Sequence, residues 1–457
     1  MLNADYDYAI NRRDASGPTG GIPKVCGPSF RILFSSWAFA ILLLALCVAM
    51  SREALAQQPS PQRDTTFEAG ITAGEADGEK RRRQLLNQLN FDLGVATMSV
   101  GAGLLYDVAA YSPDSMSEVR LQLNNELRLR DARLLLGGRV KTKRRITWQA
   151  GIMYDRPSNK LLFRQTGIMV AVPEIWSHFF VGRAKEGFSL NKVMVGYDGW
   201  QMERLPFTDA TIPLLADGVK WLGHVPSRHY FWNIGWFTDV VSKGQTFSSY
   251  DQQFVVRAGW VPMVSDSVGT LLHVAVNLRH GTPDKHQLQL RSRPEAFLAP
   301  YFIDTGPFAA KSASHGGFEA YYRPGSLLLG AEYYWQKVES PDNGDPLFHG
   351  GEAIVSWLPT GETRSYNTVG NYFRAVSPLR TVIQGGPGAF ETVIKFSYSD
   401  LTDQSLQGGI LWRITPMINW HLTDNLRLEF AYGYAKLNRW NARSVTQFFQ
   451  SRLQMQL

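Results

Sequence analysis

The residues best suited to do chemistry in this chain are cations. One group belongs to residues 186–213, a stretch without sustained alternation: Lys185 at its root, Lys192 within it and Arg204 further on, with Glu203 beside them. A second group, Arg183, Arg257, Arg279, Arg323, Lys395, Arg413 and Arg427, falls on the polar side of alternating segments. Ammonium and guanidinium groups take oxyanions through charge-assisted hydrogen bonds, and the planar guanidinium adds bidentate contact. Glu319, Glu332, Glu391 and Glu429 share those polar faces. Each arginine therefore has two readings, a station on a path for anions or half of an ion pair bracing a wall. Bracing is the commoner use of any one such residue.

Other chemistry is poorly supported. His315-Gly316-Gly317 and His349-Gly350-Gly351 resemble an oxyanion-hole segment, yet no G-x-S-x-G nucleophile motif accompanies them. No histidine pair has metal-ligand spacing, and no Gly-rich phosphate loop precedes a helix. A barrel-embedded hydrolase is thus a distant alternative, and no metal, cofactor or nucleic acid is expected.

The elements that position these charges are strands. Leu426, Leu428, Phe430, Tyr432 and Tyr434 alternate with Arg427, Glu429, Ala431, Gly433 and Ala435, and Phe449, Leu453, Met455 and Leu457 close the chain in the same manner. Successive strand side chains point to opposite faces. An arginine and a glutamate inside an otherwise apolar strand argue against a sandwich core and for lipid on one side, water on the other. The rhythm recurs from Phe91 onward, through segments 98–108, 126–140 (with a register break near Asp131), 146–154, 162–172, 176–185, 218–224, 228–238, 252–261, 271–280, 318–336, 350–358 and 390–398. Stretches 186–213 and 281–315 read as long loops. Tight connections at 141–144, 173–174, 225–227, 324–326 and 422–425 follow even strands, and longer ones mostly follow odd strands. Only residues 359–388 break this parity. The expectation is an all-β fold: a single transmembrane antiparallel β-barrel of sixteen strands, with a constriction loop folded into the lumen and both barrel ends in the periplasm.

Composition agrees. Aromatic residues make up 12% of the 457, including 13 Trp and 18 Tyr, and mean hydropathy is −0.19. That is too polar for a bundle of membrane helices and aromatic enough for interfacial girdles. Residues 32–50 are nearly all apolar, follow Lys24 and Arg31, and precede Ala54-Leu55-Ala56. This is the order of a secretory signal peptide, with cleavage expected before Gln57, although an uncleaved anchor helix stays open because the preceding segment is long. Both cysteines, Cys26 and Cys47, lie in that segment. Its removal excludes a disulfide scaffold and a cysteine-ligated zinc. The expected organisation is therefore 1–56 signal peptide, 57–90 flexible periplasmic lead-in carrying Lys80-Arg81-Arg82-Arg83, and 91–457 barrel. The net charge of +7 fits either a basic surface or a lumen that favours anions.

At this point a family resemblance enters. Gly103-Leu104-Leu105-Tyr106-Asp107, Arg130-Asp131-Ala132-Arg133-Leu134, Arg291-Ser292-Arg293-Pro294-Glu295-Ala296, Phe302-Ile303-Asp304-Thr305-Gly306, Leu358-Pro359-Thr360-Gly361-Glu362-Thr363-Arg364 and Thr446-Gln447-Phe448-Phe449-Gln450-Ser451-Arg452 resemble the phosphate-selective porin O and P family of Gram-negative outer membranes. Residues 181–190 are similar to a family segment that usually has Phe and Pro where this chain has Ala184 and Gly187. The resemblance runs from about Phe91 to Leu457. It implies a sixteen-stranded homotrimeric channel for small inorganic anions, phosphate or polyphosphate among them, embedded in outer-membrane lipid. It also implies phosphate sites made of a lysine cluster and an arginine ladder, which no motif places in this chain. Most barrels of this kind end in an aromatic residue, whereas this one ends in Leu457. An unselective or cation-preferring porin stays open as the alternative.

Overall fold

The structure, a computed structural model, describes residues 90–155, 160–239, 250–265 and 269–456. The expected signal peptide and nearly all of the expected lead-in lie outside the described residues.

Alternation resolves into two faces wherever it was read. In the strand Ala389–Asp403, Ile394 and Phe396 are 55% and 45% exposed, whereas Glu391 and Lys395 are 0% and 1% exposed. The apolar face points outward and the charged face inward, as in a barrel bathed in lipid. Sixteen antiparallel strands form this wall: β1 Thr97–Pro113, β2 Glu126–Val140, β3 Ile146–Asp155, β4 (Lys160–Phe163 and Thr166–Val172, both paired with β3), β5 Ser177–Ala184, β6 Ala216–His224, β7 Tyr230–Thr238, β8 Tyr250–Ser265, β9 Thr270–Pro283, β10 Ser312–Pro324, β11 Leu327–Glu339, β12 Leu347–Trp357, β13 Ala389–Asp403, β14 Leu406–His421, β15 Leu426–Arg439 and β16 Ala442–Gln456. Each pairs with its neighbours in sequence. β16 closes the wall on β1, with Gly103 opposite Gln456 and Pro113 opposite Thr446.

Several boundaries differ from the sequence reading. Phe91 does not open a barrel strand; it sits in the short strand Asn90–Asp92, which folds back on the first residues of β1. β4 is interrupted at Arg164 and Gln165, where the alternation had suggested one strand. β7 starts at Tyr230, because residues 225–229 form the turn. Residues 284–311 hold a hairpin of their own, Gln287–Ser292 with Ile303–Ala309. Residues 186–213 contain two short helices, Leu190–Val193 and Pro206–Thr211. The register break near Asp131 is a bulge between β1 and β2, where Asp131 faces Leu105 and Leu129 faces Tyr106, leaving Arg130 as the extra residue.

The lumen is not empty. The β5–β6 connection (185–215) and the β9–β10 connection (284–311) enter it from the end carrying the longer loops. The β12–β13 connection (358–388) enters from the opposite, short-turn end and carries the strand pair Tyr366–Asn367 and Tyr372–Phe373. The parity exception is therefore a turn elaborated into an insert. Two apolar clusters seat these segments. Towards the end carrying the longer loops, Phe188, Leu205, Phe207, Leu288, Phe302 and Phe448 pack together. Towards the short-turn end, Leu190, Met194, Trp200, Tyr321, Tyr366 and Phe373 do so. Aromatic pairs mark both levels of the outer face: Phe390 stacks on Trp420 and Phe179 on Trp221 near the short turns, and Tyr432 meets Phe449 nearer the other rim.

Candidate functional site

The β5–β6 connection leaves one side of the barrel and is fastened to the other. Gly187 packs so closely against Asn233 that a Cβ there would lie 2.3 Å from the amide carbon, a reason for glycine at this position. Ser189, at φ 64°, then caps the helix Leu190–Val193 by accepting from the Lys192 amide. The backbone N–H groups of Ser189, Leu190 and Asn191 donate to Asn277 (2.9 Å), Glu319 (2.7 Å) and Glu332 (2.9 Å). The Ser189 hydroxyl and the Asn191 amide also reach Glu332 and Glu352. Acidic residues of β10–β12 are thus consumed by loop N–H groups.

The predicted cations divide into two sets. Arg183 pairs with Asp217 (3.1 Å), Arg257 with Glu319 (2.6 Å), Arg279 with Glu186 (2.7 Å) and Arg427 with Glu429 (2.7 Å). In the same manner Arg364 takes Glu391 (2.8 Å) and Lys395 takes Glu352 (2.8 Å). Lys192 sits 3.6 Å from Asp209 and donates to the Thr208 carbonyl. Arg413 has no carboxylate within ion-pair distance among the described residues; it donates to Thr415, Gln450 and the Pro294 carbonyl and lies over the Phe448 ring. Lys185 and Arg204 meet in one cavity.

That cavity, of about 180 Å³, also receives Arg130, Arg133, Arg164 and Arg293, against Asp131, Glu203, Asp209 and Glu295. Arg130 grips Glu203 with two hydrogen bonds (2.7 and 2.8 Å), and Arg452, held by Asp107, adds a third at 2.6 Å. Burial alone would push the Glu203 carboxyl up, but these two guanidinium groups hold it down at about 2. Arg204 donates to the carbonyls of Asn191 and Met194, and Lys185 also donates to Met194. Burial, reinforced by Arg204, Arg164 and Arg133 nearby, drives the Lys185 ammonium well below the ordinary lysine range. Lys192 is lowered to about 8, mainly by burial, with Asp209 opposing. Arg164 is buried at 7% exposure, and its Nη1 has no hydrogen-bond partner.

Lys185 also lines a second cavity of about 450 Å³ with Lys220, Gln149, Asn233 and Asn367. A third, of about 510 Å³, opens at the short-turn mouth among Arg139, Lys143, Arg144, Arg145, Glu174 and His178. The three follow the β2–β6 side of the wall, and basic side chains outnumber acidic ones in each. Sequence reasoning missed Arg130, Arg133, Arg164 and Lys220 as lumen residues. The register break at Arg130 was the signal for the first two. Parity was the signal for Arg164, which continues the inward face of Leu162.

Residues 99–457 match the family described as phosphate-selective porin O and P. The chain belongs to this family. It is an outer-membrane porin. A curated relative, an uncharacterized protein of Caulobacter vibrioides, is 32% identical over 131 residues, which is 29% of this chain and 26% of that relative's length. Among solved structures, the trimer form of OmpT, an outer membrane protein of Vibrio cholerae, is 10% identical, with a TM-score of 0.50 over 79% of this chain and 100% of its own. Salmonella typhi OmpF in complex with daunomycin is 9% identical, with a TM-score of 0.50 over 80% of this chain and 100% of its own. At such identity these porins share the fold alone with this chain.

Proposed function

We propose that this porin conducts small anions by passive diffusion, phosphate-class oxyanions among them, and works as a homotrimer exported through a cleaved signal peptide. The observation that carries the reading is the excess of basic over acidic side chains from the short-turn mouth to the loop, with Arg164 Nη1 unpartnered within it. A buried guanidinium nitrogen without a hydrogen-bond partner is costly unless an anion or water meets it. The phosphate-selective description of the family supports oxyanions as the solute class, and the trimer form of the Vibrio cholerae protein supports the assembly.

The cation-preferring alternative would need free carboxylates in the lumen. Glu319, Glu332, Glu352 and Glu391 instead receive loop N–H groups, Arg257, Lys395 or Arg364. The test is a planar bilayer under a KCl gradient. A reversal potential on the chloride side is expected; one on the potassium side sinks the anion reading. Millimolar phosphate should reduce the chloride current, and no reduction would remove oxyanions from the proposal.

A further inference from the structure

The cavity of about 450 Å³ that holds Lys220 differs in chemistry from its two neighbours. No arginine and no carboxylate lines it, and its charges are the ammonium groups of Lys185 and Lys220. Neither lysine has an ion-pair carboxylate among the described residues; Lys185 donates to the Met194 carbonyl, and Lys220 to the Lys185 carbonyl at 3.3 Å. The inner wall beside them is apolar. Met169 on β4, Phe180 on β5 and Lys220 on β6 stand directly opposite one another in register, and Leu222 is the diagonal neighbour of Phe180. The Phe180 ring rests against Gly167, where a Cβ would lie 2.6 Å from its Cζ, and the Lys220 ammonium stands 5.6 Å from the ring centre. Asn233, opposite Leu222 on β7, is 2% exposed, and its Oδ1 accepts no hydrogen bond among the described residues. Val193 of the β5–β6 connection and Tyr372 of the insert join the lining.

Two ammonium groups beside an apolar floor suit a different solute from the guanidinium cluster around Arg164. Tetrahedral oxyanions are taken by planar, bidentate donors and gain nothing from apolar surface. A carboxylate needs only one or two point charges, and a ring attached to it is favoured by contact with the Met169 sulfur and the Phe180 ring. The volume falls in the range of small-molecule sites, which combine apolar walls with a few placed polar groups. We propose that this cavity is a subsite for one-ring aromatic carboxylates. The carboxylate sits at the Lys185 and Lys220 ammonium groups and the ring on the floor made by Met169, Phe180 and Leu222. A ring hydroxyl, where the solute carries one, donates to the Asn233 Oδ1. This subsite rests on the reading of the lumen as anion-conducting and adds a second solute class to the phosphate-class oxyanions.

The test uses the full chain in a planar bilayer. The chloride current is titrated with para-hydroxybenzoate and with acetate, and the half-blocking concentration of each is read. Para-hydroxybenzoate should block at a concentration about tenfold or more below that of acetate, since the two share a carboxylate and differ in the ring. F180L, which keeps an apolar side chain on the floor but removes the ring, should narrow that gap. K220Q, which orphans no carboxylate, should raise the half-blocking concentration of para-hydroxybenzoate about tenfold, as expected for loss of a charge-assisted contact. Heat-modifiable gel mobility of each variant separates lost binding from misfolding. A chloride-side reversal potential with equal block by the two carboxylates in the parent overturns the subsite alone, whether or not the variants fold. Parental block of folded K220Q by para-hydroxybenzoate overturns it as well. A potassium-side reversal potential removes the anion reading and the subsite with it.

Discussion

Ser189 and Glu332 meet across the barrel: the hydroxyl at the tip of the β5–β6 connection donates to a carboxylate on β11. The same carboxylate accepts from the Asn191 amide at 2.9 Å and from the hydroxyls of Tyr321 (2.7 Å) and Tyr334 (2.9 Å). Glu332 is thus one of four wall residues, with Asn277, Glu319 and Glu352, that hold the loop at this reach. Glu332→Ala leaves several buried donors unsatisfied, at about 1–3 kcal/mol each where water cannot replace the partner. The expected result is a lower temperature for the heat-modifiable shift on gels, with larger and noisier single-channel currents. Parental conductance and noise would show that the loop is held elsewhere.

Arg164→Gln should change selectivity without harming the fold, because Nη1 has no partner to orphan. The reversal potential should move toward potassium while the unfolding temperature stays put. Arg183→Gln should do the reverse. The variant breaks the buried ion pair with Asp217, and losing one member of such a pair is destabilising. Comparing reversal potential and melting temperature for the two variants checks both statements.

These two arginines also show what was legible in the sequence. Arg183 and Arg164 both lie on inward-facing stretches, and alternation can place a residue on a face but cannot say which carboxylate stands beside it. The sixteen strands and the inward loop were readable because period-two alternation survives wherever lipid and lumen differ. The path was not, since it depends on pairings between distant strands: Arg257 finds Glu319 and Arg279 finds Glu186 only once the wall closes and the loop is in place. The insert 358–388 was visible as a breach of parity, but its apolar residues Tyr366 and Phe373 gave no period to follow.

Anion preference should fall as pH rises through about 8. Burial lowers Lys192 to about 8; below that value the ammonium is charged, and above it the loop loses one positive charge. Reversal potentials at pH 6.5 and pH 9 under the same KCl gradient measure the change, and Lys192→Met should flatten it. A pH-independent reversal potential in the parent would remove Lys192 from the path.

Acid should loosen the same loop in a separate range. Glu203 is held at about 2 by Arg130 and Arg452, below its ordinary value of 4.5. A carboxyl lowered on folding contributes stability that is complete above the unfolded value and is lost as pH falls toward the folded one. Melting temperature should therefore decline between about pH 4.5 and pH 2, and Glu203→Gln should show a shallower decline over that window.

Arg364 offers the sharpest test of the insert. Its Nε and Nη2 donate to Glu391 on β13 at 2.8–2.9 Å, while Nη1 donates to the carbonyls of Asp198 (2.8 Å) and Arg374 (2.9 Å). A single guanidinium thus joins the wall, the β5–β6 connection and the insert that rises from the opposite mouth. Arg364→Ala would leave the buried Glu391 with Ser356, Asn419 and His421 as its remaining side-chain partners among the described residues, costing about 3–5 kcal/mol. Arg364→Lys should not rescue it, because an ammonium cannot present five donors in a fixed plane. The double change Arg364→Met with Glu391→Gln removes both charges and should recover much of the lost stability. If the insert narrows the channel, Arg364→Ala also raises single-channel conductance, and the double variant keeps that increase while melting near the parental temperature. A stable double variant with parental conductance would mean that the segment stays in the lumen without its arginine, held by the packing of Tyr366 and Phe373 against Tyr321 and Trp200.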